Sequence, residues 1–222
     1  MRTTFHELSA AGPAVLVDCA SNVIQVAALD PAGRHRWARS ETEAGLGLFA
    51  CVEELALDPG TVNAWVFCTG PGSILGIRTA AMALRTWLLL RPATVHAYFS
   101  LELVSHAQAE PAPPVVADAR RESWHVYTRE KGLQRHPVAE VPVPCVMPRG
   151  FRHWSTPPAH ATLVSYDLQE LLPRVWNAPI LFPSAEPDAF LHEEPGYVTW
   201  TPRVHRAPPP PGSRPTLERD TP

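Results

Sequence analysis

Residues 70–78 read Gly-Pro-Gly-Ser-Ile-Leu-Gly-Ile-Arg and follow directly on the apolar run Trp65-Val66-Phe67-Cys68. A buried strand that ends in a glycine turn and reopens as a helix commits the chain to an α/β architecture, because the helix must return over a sheet face. Gly70 and Gly72 admit positive φ, Pro71 fixes the turn, and Ser73 can cap a helix that starts at Ile74. Such a helix start aims unpaired N–H groups and the positive end of the dipole at one spot, an arrangement that suits anions. The spacing argues against the common phosphate motifs. A P-loop needs two glycines five apart and then Lys-Ser/Thr. Here Gly72 and Gly76 are four apart and Ile77-Arg78 follow. Three residues beyond Gly72 stands Leu75, so the dinucleotide fingerprint is absent too. The spacing favours a structural turn with close helix–strand packing.

The flanking segments give the turn a context. Val15–Asp18, Val23–Leu29 and Arg34–Arg39 read as strands, with Asp30-Pro31-Ala32-Gly33 as a hairpin turn. Leu48, Val52, Leu55 and Ala56 share one face of a helix over 46–57, stopped by Asp58-Pro59-Gly60. Asn63–Cys68 reads as a strand, Ile74–Leu90 as a long helix and Thr94–Tyr98 as a strand; Ser100 caps a helix through about Gln108. The order β-β-β-α-β-α-β-α is that of an RNase H-like lobe of the actin, sugar-kinase and Hsp70 superfamily, an analogy of fold that assigns no activity.

After the linker Glu110-Pro111-Ala112-Pro113-Pro114, strands at Val115–Ala117, Ser123–Arg129 and Leu133–Val141 restart the same pattern, turning at Lys131-Gly132. Residues 137–158 are proline-rich, Ala161–Tyr166 reads as a strand, Asp167–Val175 as a helix and Ile180–Phe182 as a short buried strand. The expectation is an α/β chain of two RNase H-like lobes, residues 12–109 and 114–202. A disordered tail is expected over 207–222, whose four-proline run has little apolar surface to bury.

Chemistry is sparse. Phosphotransferases of this superfamily open with an Asp-x-Gly-[TS]-like hairpin, but Asp18 is followed by Cys19 and Ala20, and only the hydroxyl of Ser21 survives. Asp18 reads either as the orienter of a metal-bound water or as a local cap; the second is the commoner use of such a residue. Cys19 has no nearby base in sequence and reads as a buried thiol. No two of the ten histidines lie three, four or five apart, so no helix presents a ligand pair, and no metal or cofactor is expected. The four cysteines are scattered, which fits reduced thiols and a cytoplasmic setting. No leader-like or membrane-spanning stretch is apparent: Trp87–Leu90 is too short to cross a bilayer. A formal net charge of −3 predicts weak binding of nucleic acid by this chain alone. Asp118, Arg120, Arg121 and Glu122 form a charged knot, either a solvated turn or a contact for phosphate or carboxylate. The helix from Ile74 is apolar nearly all round, so the side carrying Ile74, Arg78, Ala81, Met82 and Arg85 needs a neighbouring helix or a partner.

Three stretches in order carry a resemblance. Gly70–Arg78 is similar to the G-P-G-S-F-T-G-[LI]-R segment of the TsaB proteins, non-catalytic partners in bacterial synthesis of threonylcarbamoyladenosine on tRNA. Val15-Leu16-Val17-Asp18 with Cys19-Ala20-Ser21 resembles the opening strand of that family, and Val116–Arg121 with Val126-Tyr127 resembles its D-A-R-[RK]-x-E-V-Y segment. Ser100-Leu101-Glu102 fits the helix start between them, and a weaker likeness reaches Pro195–Tyr197. The chain departs from the pattern at Ile74-Leu75, where the family has Phe-Thr, and at 43–47, where it lacks the usual His-Ser pair. The resemblance implies a scaffold that binds a TsaD-like transferase through the helix from Ile74 and the one before it. It also implies an ATPase as third component and a homodimer where the partner is absent. The competing readings are a phosphotransferase or peptidase-like enzyme, and a self-associating protein with no tRNA role.

Overall fold

The computed structural model describes residues 1–190; the expected tail over 207–222, the end of the second lobe and Pro195–Tyr197 lie outside the described residues. The described residues form one compact unit built on two sheets. In chain order the elements are α1 (Phe5–Ala10), β1 (Ala14–Asp18), β2 (Ile24–Leu29), β3 (Arg36–Ser40), α2 (Ala44–Glu54), β4 (Ala64–Gly70), α3 (Ile74–Leu90), β5 (Thr94–Phe99) and α4 (Ser100–Ala107). Then follow β6 (Val115–Asp118), β7 (Ser123–Thr128), β8 (Gly132–Pro137), β9 (Cys145–Pro148), β10 (Ala161–Val164), α5 (Leu168–Val175) and β11 (Phe182–Pro183).

The first sheet runs β11-β5-β4-β1-β2-β3 and the second β10-β9-β6-β7-β8. Read outward from the hairpin, β3-β2-β1-β4-β5 and β8-β7-β6-β9-β10 are the same order, with β1 parallel to β4 and β6 parallel to β9. The expected two-lobed, RNase H-like α/β fold is therefore present. The central strands explain themselves: all residues of β1 and β4 are buried, as runs covered on both faces must be. One core cluster, including Val17, Phe67, Leu48 and Leu84, lies between the first sheet and α2/α3. A larger one, with Leu16, Tyr98, Leu101 and Leu168, joins the sheets to α4 and α5.

Three details differ from the sequence reading. The amino-terminal residues form α1, capped by a Thr4/Glu7 capping box, with Phe5 stacked on Trp176 at 6.2 Å. The proline-rich stretch holds a buried strand, β9, parallel to both β6 and β10. Ser100 is not a side-chain cap; its hydroxyl donates to the Pro71 carbonyl at 2.5 Å and so ties α4 to the glycine turn.

Candidate functional site

At the start of α3 the glycine turn is built for close approach. A Cβ on Gly76 would lie 2.2 Å from the Cys19 carbonyl oxygen, and one on Gly72 would lie 2.5 Å from that of Ala20. The Ser73 N–H donates to the Ala20 carbonyl at 2.7 Å, and the Ser73 hydroxyl accepts from the Gly76 N–H at 3.3 Å. Gly70, at φ 120°, adopts a backbone that side chains avoid. Two carbonyl oxygens, the negative ends of peptide dipoles, thus press against the helix start where a phosphate would be received. The glycines serve helix–hairpin contact, as their spacing predicts, and the carbonyls disfavour an anion at that spot.

Asp18 is sealed. Its side chain is fully buried and accepts hydrogen bonds from Tyr98 Oη at 2.5 Å, Tyr166 Oη at 2.7 Å and the Ala20 N–H at 2.9 Å. Burial raises its pKa above the ordinary carboxylate range, with the tyrosine and amide bonds working in the opposite sense. Tyr166 follows β10 of the second sheet, so this bond runs between the two sheets. Gln25 of β2 repeats the link, donating to the Tyr166 carbonyl at 3.0 Å and accepting from the Leu168 N–H at 2.8 Å. Among the described residues the Ser21 hydroxyl hydrogen-bonds within its own turn, donating to the Val23 carbonyl and accepting from the Val23 N–H. Cys19, Cys68 and Cys51 are buried, and burial pushes all three thiols up, that of Cys51 to about 11. None is primed as a nucleophile. The residues that decide this node, Tyr98 and Tyr166, carry no motif in the sequence; only the fold brings them to Asp18. Among the described residues no group of His, Cys, Asp and Glu is arranged to hold a metal.

The outer side of α2 and α3 is different in kind. Leu46, Phe49, Leu75 and Met82 are 68%, 51%, 76% and 56% exposed, and between the helices runs a groove of about 430 Å³ lined by Phe49, Leu75, Arg78, Met82 and Trp87 among others. Trp87 forms its floor, stacked on Trp65 at 4.7 Å and edge-on to Phe49 at 6.1 Å. Of the five residues expected on this side, Arg78 and Met82 line the groove. Arg85 stands beside it and, with Arg78, pairs at 3.7 Å with Asp188. Ile74, at the helix start, faces the cleft between the sheets instead. Ala81 is a correction: it is 2% exposed and belongs to the core beneath α3, because its position on the 3.6-residue period falls with Ile77 and Leu84, not with Met82. Phe49 of α2 and Leu75 of α3 join this face without being among the residues expected there, because only the packing of the two helices brings them together.

No family model matches the sequence, and no curated protein matches it. Among solved structures, YeaZ from Pseudomonas aeruginosa aligns with a TM-score of 0.50 at 19% identity, covering 73% of this chain and 90% of that one. The chain has a YeaZ-like fold. A second structure, titled as an uncharacterized protein with similarity to peptidase YEAZ from the same organism, gives 0.48 at 19% identity, covering 73% and 89%. Two sheets of one strand order with α2 and α3 on the first make up this YeaZ-like frame. No helix among the described residues is long and apolar enough to cross a membrane.

Proposed function

We propose that this chain is a non-catalytic scaffold subunit in threonylcarbamoyladenosine modification of tRNA, docking a TsaD-like transferase on the outer face of α2 and α3. The observation that carries the reading is that face itself: a row of exposed large apolar side chains around a groove, on a monomer whose other large apolar residues are mostly buried. The likeness of fold to YeaZ, a TsaB-type protein, and the Gly70–Arg78 signature support the same assignment. The sealing of Asp18 by two tyrosines supports a role without phosphotransfer, since that carboxylate has no solvent-facing oxygen with which to orient water. On this reading the transferase supplies the chemistry and most of the tRNA affinity, an ATPase joins as third component, and the complex is cytoplasmic. In the partner's absence, two copies of the chain cover the same face.

The first test is turnover. Purified chain incubated with ATP and Mg²⁺ is expected to release no phosphate above a protein-free control. Steady release that the Asp18→Ala variant abolishes would overturn the non-catalytic assignment and restore the phosphotransferase reading.

A further inference from the structure

The second sheet carries a feature that the scaffold reading does not use. Arg120 and Arg121 follow the end of β6, and Arg149 and Arg152 follow the end of β9, its parallel neighbour. Topology therefore places all four at one edge, and all four are exposed. Among the described residues none of them is ion-paired to a carboxylate. Trp154 stands among them, 64% exposed, with the Arg120 guanidinium 4.5 Å from its ring centroid.

This arrangement is held, not incidental. The Asp118 carboxylate accepts from the N–H groups of Arg120, Trp154 and Ser155 and from the Ser155 hydroxyl, clasping the two arginine-bearing loops together. Arg120, Arg121 and Glu122 all adopt left-handed backbone, at φ 62°, 52° and 54°. Non-glycine residues seldom adopt this backbone, and strain of that kind gathers at functional sites. Asp118 is committed to this clasp, so Glu122 is the acid left free on the rim. Glu41 and Glu43 line a cleft of about 420 Å³ together with Arg120, Arg152 and Trp154.

We propose that this rim binds the backbone of single-stranded nucleic acid, with Trp154 as a stacking surface for an unpaired base. Guanidinium forks suit phosphates, and stacking on an exposed ring is the usual partner of such contacts on single strands. Four arginines strung along an edge exceed what one nucleotide's phosphate needs. Only two of the four line the cleft, and the glutamates that also line it repel phosphate from its depth, which favours a strand running along the rim. The chain's net charge of −3 conceals this local concentration of positive charge.

The test is fluorescence anisotropy of the full chain with labelled oligo(U) and oligo(dT) at low and then rising salt. Wild type is expected to bind at low salt and to weaken steeply as salt is added. Arg120→Ala with Arg152→Ala should weaken binding at least tenfold and flatten the log–log salt slope by about 1.4, roughly 0.7 for each lost contact. Trp154→Ala should lose about five- to a hundredfold, whereas Arg34→Ala, on a distant hairpin turn, should bind like wild type. Stronger binding of oligo(U) assigns the site to RNA; equal binding assigns it to single strands of either kind. The proposal is overturned if folded wild type fails to bind at low salt, or if the double arginine variant, folded by circular dichroism, binds normally. It is likewise overturned if AMP displaces the oligonucleotide at equal concentration, which would mark a mononucleotide pocket.

Discussion

The two sheets share one strand order, yet they are clothed differently. Between β3 and β4 the first sheet carries α2, and between β4 and β5 it carries α3; at the matching points the second has a 3₁₀ turn at Val138–Glu140 and the loop 149–160. The helices give the first half an apolar exterior with a groove, whereas the loops give the second a polar rim of arginines around Trp154. A duplicated frame thus yields two surfaces of opposite chemistry, and the strands alone dictate neither. The buried side of the comparison is Asp18, a carboxylate that bolts the two halves together through Tyr98 and Tyr166.

Breaking the bolt should have the largest effect. Asp18→Ala strands two buried tyrosine hydroxyls, and an unpaired buried polar group costs about 1–3 kcal/mol, so a loss of about 2–4 kcal/mol is expected in chemical denaturation. The sign with pH follows from the raised pKa of Asp18 in the folded state. Its stabilising contribution is complete below the unfolded value and fades as pH rises through the raised folded one, so the penalty of Asp18→Ala should shrink between pH 4 and pH 8. A penalty that grows with pH would mean that the charged form is the favoured one. Gly76→Ala comes next. Its new methyl must displace the Cys19 backbone, a net loss of about 2 kcal/mol after the helix-propensity gain.

Much of this was legible in the sequence, for identifiable reasons. The strands β1, β2 and β4 and the helix α3 announce themselves because they are long and strongly apolar, and Ile74–Leu90 is bounded as its serine cap and closing arginine suggest. β9 was hidden because prolines flank its four residues and its pairing partners lie about thirty residues upstream and sixteen downstream. α1 was hidden because a helix of six residues has almost no periodicity, though its Thr4-x-x-Glu7 box was there to read. The missing glycine after Asp18 is plain in the sequence, but the partners that surround this carboxylate are not. Tyr98 and Tyr166 are 80 and 148 residues from Asp18, and nothing local links them. The inward placement of Ala81 shows the same limit on a helix apolar all round, where periodicity cannot say which side is the core.

A smaller effect probes the other half. Asp118 is partly desolvated, which on its own would raise its pKa, but the bonds from Ser155, Trp154 and Arg120 outweigh this and hold it below the ordinary carboxylate value. Its contribution is therefore present above the unfolded pKa and is lost as pH falls through the depressed folded one. Asp118→Asn is expected to cost about 1–2 kcal/mol at pH 7, converging on wild type in strong acid. Equal penalties at both extremes would show that the clasp does not depend on charge.

The central claim is that the first half's exposed helical face exists to be covered by another protein, and Met82→Glu tests it most directly. Met82 is 56% exposed, so the variant should keep its circular dichroism spectrum and lie within about 0.5 kcal/mol of wild-type stability, as surface changes do. In the docked state the same carboxylate would be buried without a partner, a cost of several kcal/mol. Co-expression with a TsaD-like transferase, followed by affinity capture, should therefore recover the complex with wild type and lose it with Met82→Glu. A folded Met82→Glu chain that still captures the transferase as wild type does would contradict the account.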